Sequence, residues 1–163
     1  MNEAKDEFAS LNAAEYLYLR GISEPRDNSL RIVVQEATAN LASTGPLELP
    51  GMSASLRTSR AAPIESTATC KAFALYWSRY IAYLVTEESV GSCGNYKDEI
   101  FTGRFFRVYE KSHLLDHIAR DTGAHFKPFQ HYKIICLNHL IDVVSTEVPE
   151  LEVIQASKPS PVQ

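Results

Sequence analysis

The sequence contains few of the residues that would identify its chemistry at once. It has only three cysteines, Cys70, Cys93 and Cys136, and no two of them form a CxxC pair. An odd, widely spaced set of cysteines does not indicate a disulfide framework and is typical of a reducing compartment. We therefore expect a cytoplasmic location.

Positive charge and long apolar runs are also scarce. The chain has 16 Lys and Arg against 20 Asp and Glu, a formal charge of -4. It lacks the basic excess with which proteins bind phosphate backbones, so we expect no nucleic-acid partner. The acidic N-terminus does not resemble a secretory signal, and no segment offers about 18 uninterrupted apolar residues. We expect a soluble, unexported protein with no membrane partner.

Glycine motifs for phosphate binding are missing. The 7 glycines form neither GxGxxG nor GxxxxGK(S/T), and the serine in VGSCG does not match the GxSxG nucleophile elbow. Nucleotide-binding enzymes and serine hydrolases therefore have no positive support. We predict no cofactor and assign no metal site.

The strongest feature that is present is an apolar segment at residues 71–85, KAFALYWSRYIAYLV, which holds the only Trp and three of the 8 Tyr. A straight strand of this length would span about 50 Å and a helix about 22 Å. The aromatic and β-branched residues favour a strand with a bulge at Ser78 and Arg79, and a long core helix is the alternative. Such a bulge would place these side chains on one inner face: Phe73, Leu75, Trp77, Tyr80, Ala82 and Leu84.

Other segments give shorter signals. Apolar residues at helical spacing over residues 3–19, followed by Gly21, predict a short helix. Residues 30–37, LRIVVQEA, predict a strand, and so do the β-branched residues between 131 and 145, as two strands meeting near Asn138 and His139 or as one bulged strand.

Two more segments complete the outline. Residues 105–109 look like a strand, and 114–118 suit a helical turn or a strand equally well. Residues 151–154, LEVI, follow Pro149 and could add an edge strand. The predicted fold class is α+β, mainly β, as an antiparallel sheet or partly closed barrel with one or two short helices.

One domain over residues 1–156 accounts for these elements. Residues 38–69 contain no aromatic residue and are dominated by Ala, Ser, Thr, Pro and Gly, which predicts a long loop, either a mobile excursion or a lid or partner-binding arm. Residues 157–163 contain Pro159 and Pro161 and are predicted to be a disordered tail.

His113, Asp116 and His117 come closest to a metal or hydrolase pattern. On a helix the two histidines would share one face, in the order of the inverted zinc-hydrolase motif with Asp in place of Glu. On a strand they would lie about 13 Å apart and could not share an ion. Two ordinary histidines are the competing interpretation.

Cys136 with Asn138, His139 and Asp142 supplies the residue types of a thiol nucleophile and its base. A cysteine between Ile135 and Leu137 is more commonly a small buried apolar residue.

Aromatic residues give the remaining hint of a site, because tyrosine hydroxyls favour the rim of a pocket, although core packing is the competing interpretation. We predict a binding or interaction protein of unknown specificity that engages a partner protein or a small ligand. The alternative is a hydrolase using His113, Asp116 and His117, and a homodimer through an edge strand is a further option. The predicted ligand-binding residues are Tyr76, Trp77, Tyr80, Tyr83, Tyr109 and Tyr132.

Overall fold

Alternating apolar residues build two antiparallel sheets that share one core. The structure is a computed structural model that describes residues 7–43, 45–46, 60–91, 97–123, 125 and 128–154. The strands are β1 (Tyr16–Ser23), β2 (Leu30–Ala39), β3 (Gly45–Pro46), β4 (Arg60–Ala61), β5 (Ile64–Glu65), β6 (Ala72–Trp77), β7 (Ala82–Glu87), β8 (Ile100–Thr102), β9 (Phe106–Lys111), β10 (Gln130–Ile135), β11 (His139–Ser145) and β12 (Glu150–Ile154).

The first sheet has the order β1-β2-β6-β12, with β5 paired to the end of β2, and the second has the order β7-β11-β10-β9-β8. Strands β3 and β4 form a separate pair. Within the described residues the helices are α1 (Ala9–Asn12), α2 (Glu88–Gly91) and α3 (His113–Asp121), and Leu41–Ser43 form a 3-10 turn. The predicted α+β, mainly β class is confirmed, as open antiparallel sheets and with one helix more than expected.

No helix runs through Trp77, but the predicted single strand with a bulge at Ser78 and Arg79 is instead two strands, Ala72–Trp77 and Ala82–Glu87. The chain leaves β6 in the first sheet at Trp77 and enters β7 in the second at Ala82. The predicted common inner face is wrong. Phe73 and Trp77 are fully buried, but 53% of Leu84 is exposed, because Leu84 lies opposite Asp142 on the outer face of β7, an edge strand of the other sheet.

The predicted helix over residues 3–19 is wrong for its second half. Among the residues described there, Glu7 and Ala9–Asn12 are helical, and Tyr16–Ser23 form a strand that pairs with β2. Gly21 follows an irregularity in that pairing rather than ending a helix. The long-range pairing overrides the local spacing, because Leu17 lies in the core while Tyr16 and Tyr18 do not.

Other strand predictions are confirmed. Strand β2 covers the predicted segment and continues to Ala39, β10 and β11 meet at residues 136–138, and β12 is an edge strand. Residues 105–118 divide into strand β9 and helix α3. Of the predicted loop 38–69, β5 pairs with Thr38 and Ala39, whereas residues 44 and 47–59 lie outside the described residues. The predicted tail 157–163 also lies outside them.

The core lies between the two sheets, and α1 closes one end of it. One apolar cluster contains inward residues of both sheets and three residues of the N-terminal segment. Each sheet therefore buries its apolar face against the other. Its largest members are Trp77, Phe73, Phe106, Phe8, Tyr132, Leu11, Leu17, Leu30, Ile32, Leu75, Ile134 and Ile141.

Candidate functional site

The structure divides the six predicted ligand-binding aromatics among four places. Trp77 and Tyr132 pack against each other in the core, with ring centroids 5.8 Å apart. Burial raises the pKa of Tyr132 to about 12. Tyr109 lies on the opposite face of the second sheet, stacked on His131 at 4.2 Å. Their role in binding stays a prediction, but these three do not line a common surface.

Tyr80 and Tyr83 form a pair beside the turn between β1 and β2. Their rings meet edge to face at 5.1 Å, and both hydroxyls donate to Glu24 Oε1, at 2.8 and 3.3 Å. The hydrogen bond to Glu24 raises the pKa of Tyr80. Tyr76 lies elsewhere, on the outer face of the first sheet.

That outer face can be read as rows of residues across four strands. Ile32 and Leu75 point into the core, so the residues that alternate with them point outward. One row consists of Ser23, Arg31, Tyr76 and Glu150, and the next of Gly21, Val33, Ala74 and Glu152. The second row is small at its centre, where Val33 and Ala74 stand beside the taller Arg31 and Tyr76. A depression therefore forms between tall side chains.

A cavity of about 480 Å³ occupies this place, and we call it the trough. Its volume falls within the range of small-molecule sites, roughly 300–1,000 Å³. The lining residues come from the turn after β1 and from strands β2, β6 and β12: Pro25, Arg26, Arg31, Ala74, Tyr76, Glu150, Leu151 and Glu152.

Opposite charges stand on the two sides of the trough. Arg26 is held in place, because its Nη2 donates to Tyr76 Oη at 2.7 Å. Arg31 lies on β2 and the two glutamates lie on β12, two strand spacings away, or about 10 Å. Among the described residues, neither Glu150 nor Glu152 forms an ion pair with Arg26 or Arg31. The cationic and anionic sides therefore do not neutralise each other by direct contact.

His113, Asp116 and His117 do lie on one helix, α3, but the two histidines contact different acids. His113 Nε2 lies 3.0 Å from Asp98 Oδ1, and His117 Nε2 lies 3.4 Å from Asp121 Oδ2. The hydrogen bond with His113 lowers the pKa of Asp98. In the part of the chain that the structure describes, no three His, Cys, Asp or Glu side chains converge on a metal position. The two histidines therefore do not share a partner, and the hydrolase alternative stays a prediction.

Cys136 does not have the properties of a nucleophile. Its side chain is buried, and desolvation raises the pKa of the thiol to about 12. Asn138 uses its amide on the backbone of Leu19, accepting at 2.9 Å and donating at 3.2 Å. Asp142 contacts His131 and Lys133. Cys136 is therefore a buried thiol in the core, as the competing interpretation predicted.

Sequence reasoning missed a buried polar network beneath α3. His131 Nδ1 lies 2.8 Å from Ser112 Oγ, and His131 Nε2 lies 2.8 Å from Asp142 Oδ1. Lys133 Nζ adds an ion pair to Asp142 Oδ1 at 3.2 Å. Ser112, only 1% exposed, also accepts from Leu115 N as the N-cap of α3. These contacts tie the helix to the sheet and leave Ser112 out of reach of a substrate.

A second cavity, of about 250 Å³, lies beside α3. Its lining is apolar apart from a single carboxylate: Leu115, Asp116, Ala119, Pro128 and Phe129. It offers fewer polar contacts than the trough. The signal for the trough in the sequence was the alternation in β2. It predicts that Arg31 points outward, but it does not predict which residues of other strands lie beside Arg31.

Comparison with known proteins found no match to a family model, to a curated protein or to a solved structure. Within the described residues, no helix has the length and apolar character needed to cross a membrane. Proposals about function therefore depend on the geometry of the chain itself.

Proposed function

We propose that this protein is a binding protein that holds a small zwitterionic molecule in the trough. The observation that supports the proposal is the separation of charge across an apolar floor. Arg26 and Arg31 offer guanidinium donors to a carboxylate, and Glu150 and Glu152 offer acceptors to an ammonium group. Ala74 and the Tyr76 ring supply the apolar contact between them.

The dimensions of the trough limit the ligand. The two charged sides stand about 10 Å apart at the backbone, and both kinds of side chain reach inward. A ligand whose opposite charges are a few bonds apart, such as an unblocked dipeptide or an amino acid with a polar side chain, matches that gap. A ligand with one charge would leave one side of the trough without a partner.

Calorimetric titration of the full chain with unblocked dipeptides tests the proposal. Each dipeptide is compared with its N-acetylated and C-amidated forms, and either blocking group should weaken binding about tenfold, the effect of losing one charge-assisted contact. Arg31→Gln should reduce the discrimination against the C-amidated form only, because Arg26 remains. Glu152→Gln should reduce the discrimination against the N-acetylated form only, because Glu150 remains.

Two exposed residues away from the trough serve as matched controls. Arg120→Gln on α3 and Glu110→Gln on β9 make the same chemical changes and should leave both preferences intact. Equal affinity for blocked and unblocked dipeptides, or no heat of binding for any of them, would contradict the proposal.

A further inference from the structure

The four edge strands of the two sheets are protected to different degrees. Natural sheets protect their edges with charges, prolines, irregularities or short strands. Strand β1 has Arg20 at an irregularity in its pairing, β12 begins after Pro149 and carries Glu150 and Glu152, and β8 has only 3 residues. Strand β7 is 6 residues long, pairs with β11 without an irregularity, and has no charge before Glu87.

Apolar side chains are exposed on both faces of β7. The exposed fractions are 36% for Tyr83, 53% for Leu84 and 39% for Val85. Leu84 stands opposite Asp142 on the outer face, whereas Tyr83 and Val85 stand opposite the core residues Val143 and Ile141. A strand added to this edge would cover apolar surface on both faces.

Only one end of this edge is covered within the described residues. There, Tyr80 N donates to Asn28 O at 2.9 Å, and Glu24 accepts from Tyr80 and Tyr83. Beyond Tyr83, the described residues contain no strand that pairs with the free side of β7. An edge strand presents unpaired backbone N–H and C=O groups on that side.

We propose that the free edge of β7 binds an extended segment of a partner polypeptide with apolar residues at its centre and basic residues at its ends. This is recognition by strand addition, in which backbone hydrogen bonds supply affinity and side chains supply specificity. The charges at the edge indicate the basic ends. Glu24 lies at one end, and Glu87, whose pKa is lowered by hydrogen bonds from Ser89, lies at the other.

The same charges disfavour a second copy of the chain as the occupant. Two β7 strands related by a two-fold axis would pair antiparallel, and because paired residues share a face, Val85 of one copy would stand opposite Val85 of the other. In that register Glu87 of one copy stands opposite Tyr83 of the other, whose hydroxyl donates to Glu24. Glu87 and the Glu24 of the other copy would thus be brought near each other, and like charges that meet across strands are destabilising.

Fluorescence anisotropy with two labelled peptides tests this proposal on the full chain. Both peptides alternate valine and threonine, and one ends in lysine and the other in glutamate. The lysine-ended peptide should bind about tenfold more tightly, and added salt should weaken it, because exposed charges are screened. Equal binding of the two peptides, or binding of neither, would overturn the proposal.

Leu84→Lys should weaken binding of the lysine-ended peptide about tenfold, because it adds a repelling charge to the edge. Its matched control is Ile100→Lys on β8, since 53% of both side chains is exposed, and this variant should bind like the unchanged protein. Circular dichroism checks that both variants fold.

A second variant does not alter the apolar surface of the edge. Glu24→Gln combined with Glu87→Gln should reduce both the affinity for the lysine-ended peptide and its salt dependence. Unchanged affinity in this double variant would count against the proposal. Light scattering could instead show a dimer that Leu84→Lys converts to a monomer. That result would overturn the proposal, because the occupant of the edge would be a second copy of the chain.

Discussion

The outer faces of the two sheets use their polar groups in opposite ways. On the second sheet α3 covers part of the outer face, and Ser112, His131, Asp142 and Lys133 satisfy one another beneath it. On the first sheet the charged side chains of the trough face solvent, and its arginines and glutamates are not paired with each other. A covered polar network stabilises the fold, whereas an uncovered set of opposite charges is available to a ligand.

The largest expected effect breaks the covered network. Asp142→Ala leaves the buried imidazole of His131 and the Lys133 ammonium without their shared acceptor, and should lower the free energy of unfolding by about 3 kcal/mol. Glu152→Ala removes a carboxylate from the trough and should change it by less than about 0.5 kcal/mol. Urea unfolding measures both. Similar losses for the two variants would remove the distinction between the faces.

Stability at alkaline pH tests the burial of Cys136 and Tyr132 in the core between the two sheets. The pKa of Cys136 is raised from 9.0 to about 12 and that of Tyr132 from 10.0 to about 12, so the unfolded chain loses these protons first. Stability from both groups is fully present below pH 9 and is lost as pH rises towards 12, by about 1.4 kcal/mol per pH unit for each group above its unfolded pKa.

Cys136→Ala should flatten that dependence between pH 9 and 10, where Tyr132 does not yet contribute. Urea unfolding at closely spaced pH values measures the slope. Cys70→Ala, a substitution of another buried free cysteine, is the control. An unchanged slope in Cys136→Ala would show that the thiol ionises as easily in the folded as in the unfolded chain.

The smallest expected effects come from substituting one glycine at each sheet, Gly21 at the first and Gly91 at the second. A Cβ at Gly21 would meet no atom within 4 Å, whereas at Gly91 it would lie 2.6 Å from Leu140 Cδ1 and 3.0 Å from Thr86 Cγ2. Gly21→Ala should stabilise the protein by about 0.5 kcal/mol, because a strand glycine has excess backbone freedom when unfolded. Gly91→Ala should destabilise it by about 1 kcal/mol through overpacking.

Thermal unfolding of the two glycine variants compares the space on the two faces directly. Opposite shifts in melting temperature are expected. Equal shifts would mean that a Cβ at Gly91, next to the second sheet, has as much space as a Cβ at Gly21 on the first sheet.

Local pattern was sufficient where the residues of one segment agree with one another. The β-branched residues of β2, β10 and β11 predicted strands, and the break near Asn138 and His139 was located. The same reasoning failed over residues 3–19, where helical spacing is overridden by pairing with β2. For residues 114–118 the pattern was ambiguous, and the capping by Ser112 and the burial of Ile118 against the rest of the chain accompany the helix.

The sequence by itself predicted strands β2, β10, β11 and β12, because alternation and side-chain shape act within a few residues. It also favoured a buried apolar Cys136 over a nucleophile, which the structure confirms. Only the tertiary structure decided that Arg31 would stand in one row with Tyr76 and Glu150, and that His131 would meet both Ser112 and Asp142. Strand order and register bring these residues together, and both depend on the packing of the whole core rather than on any single segment.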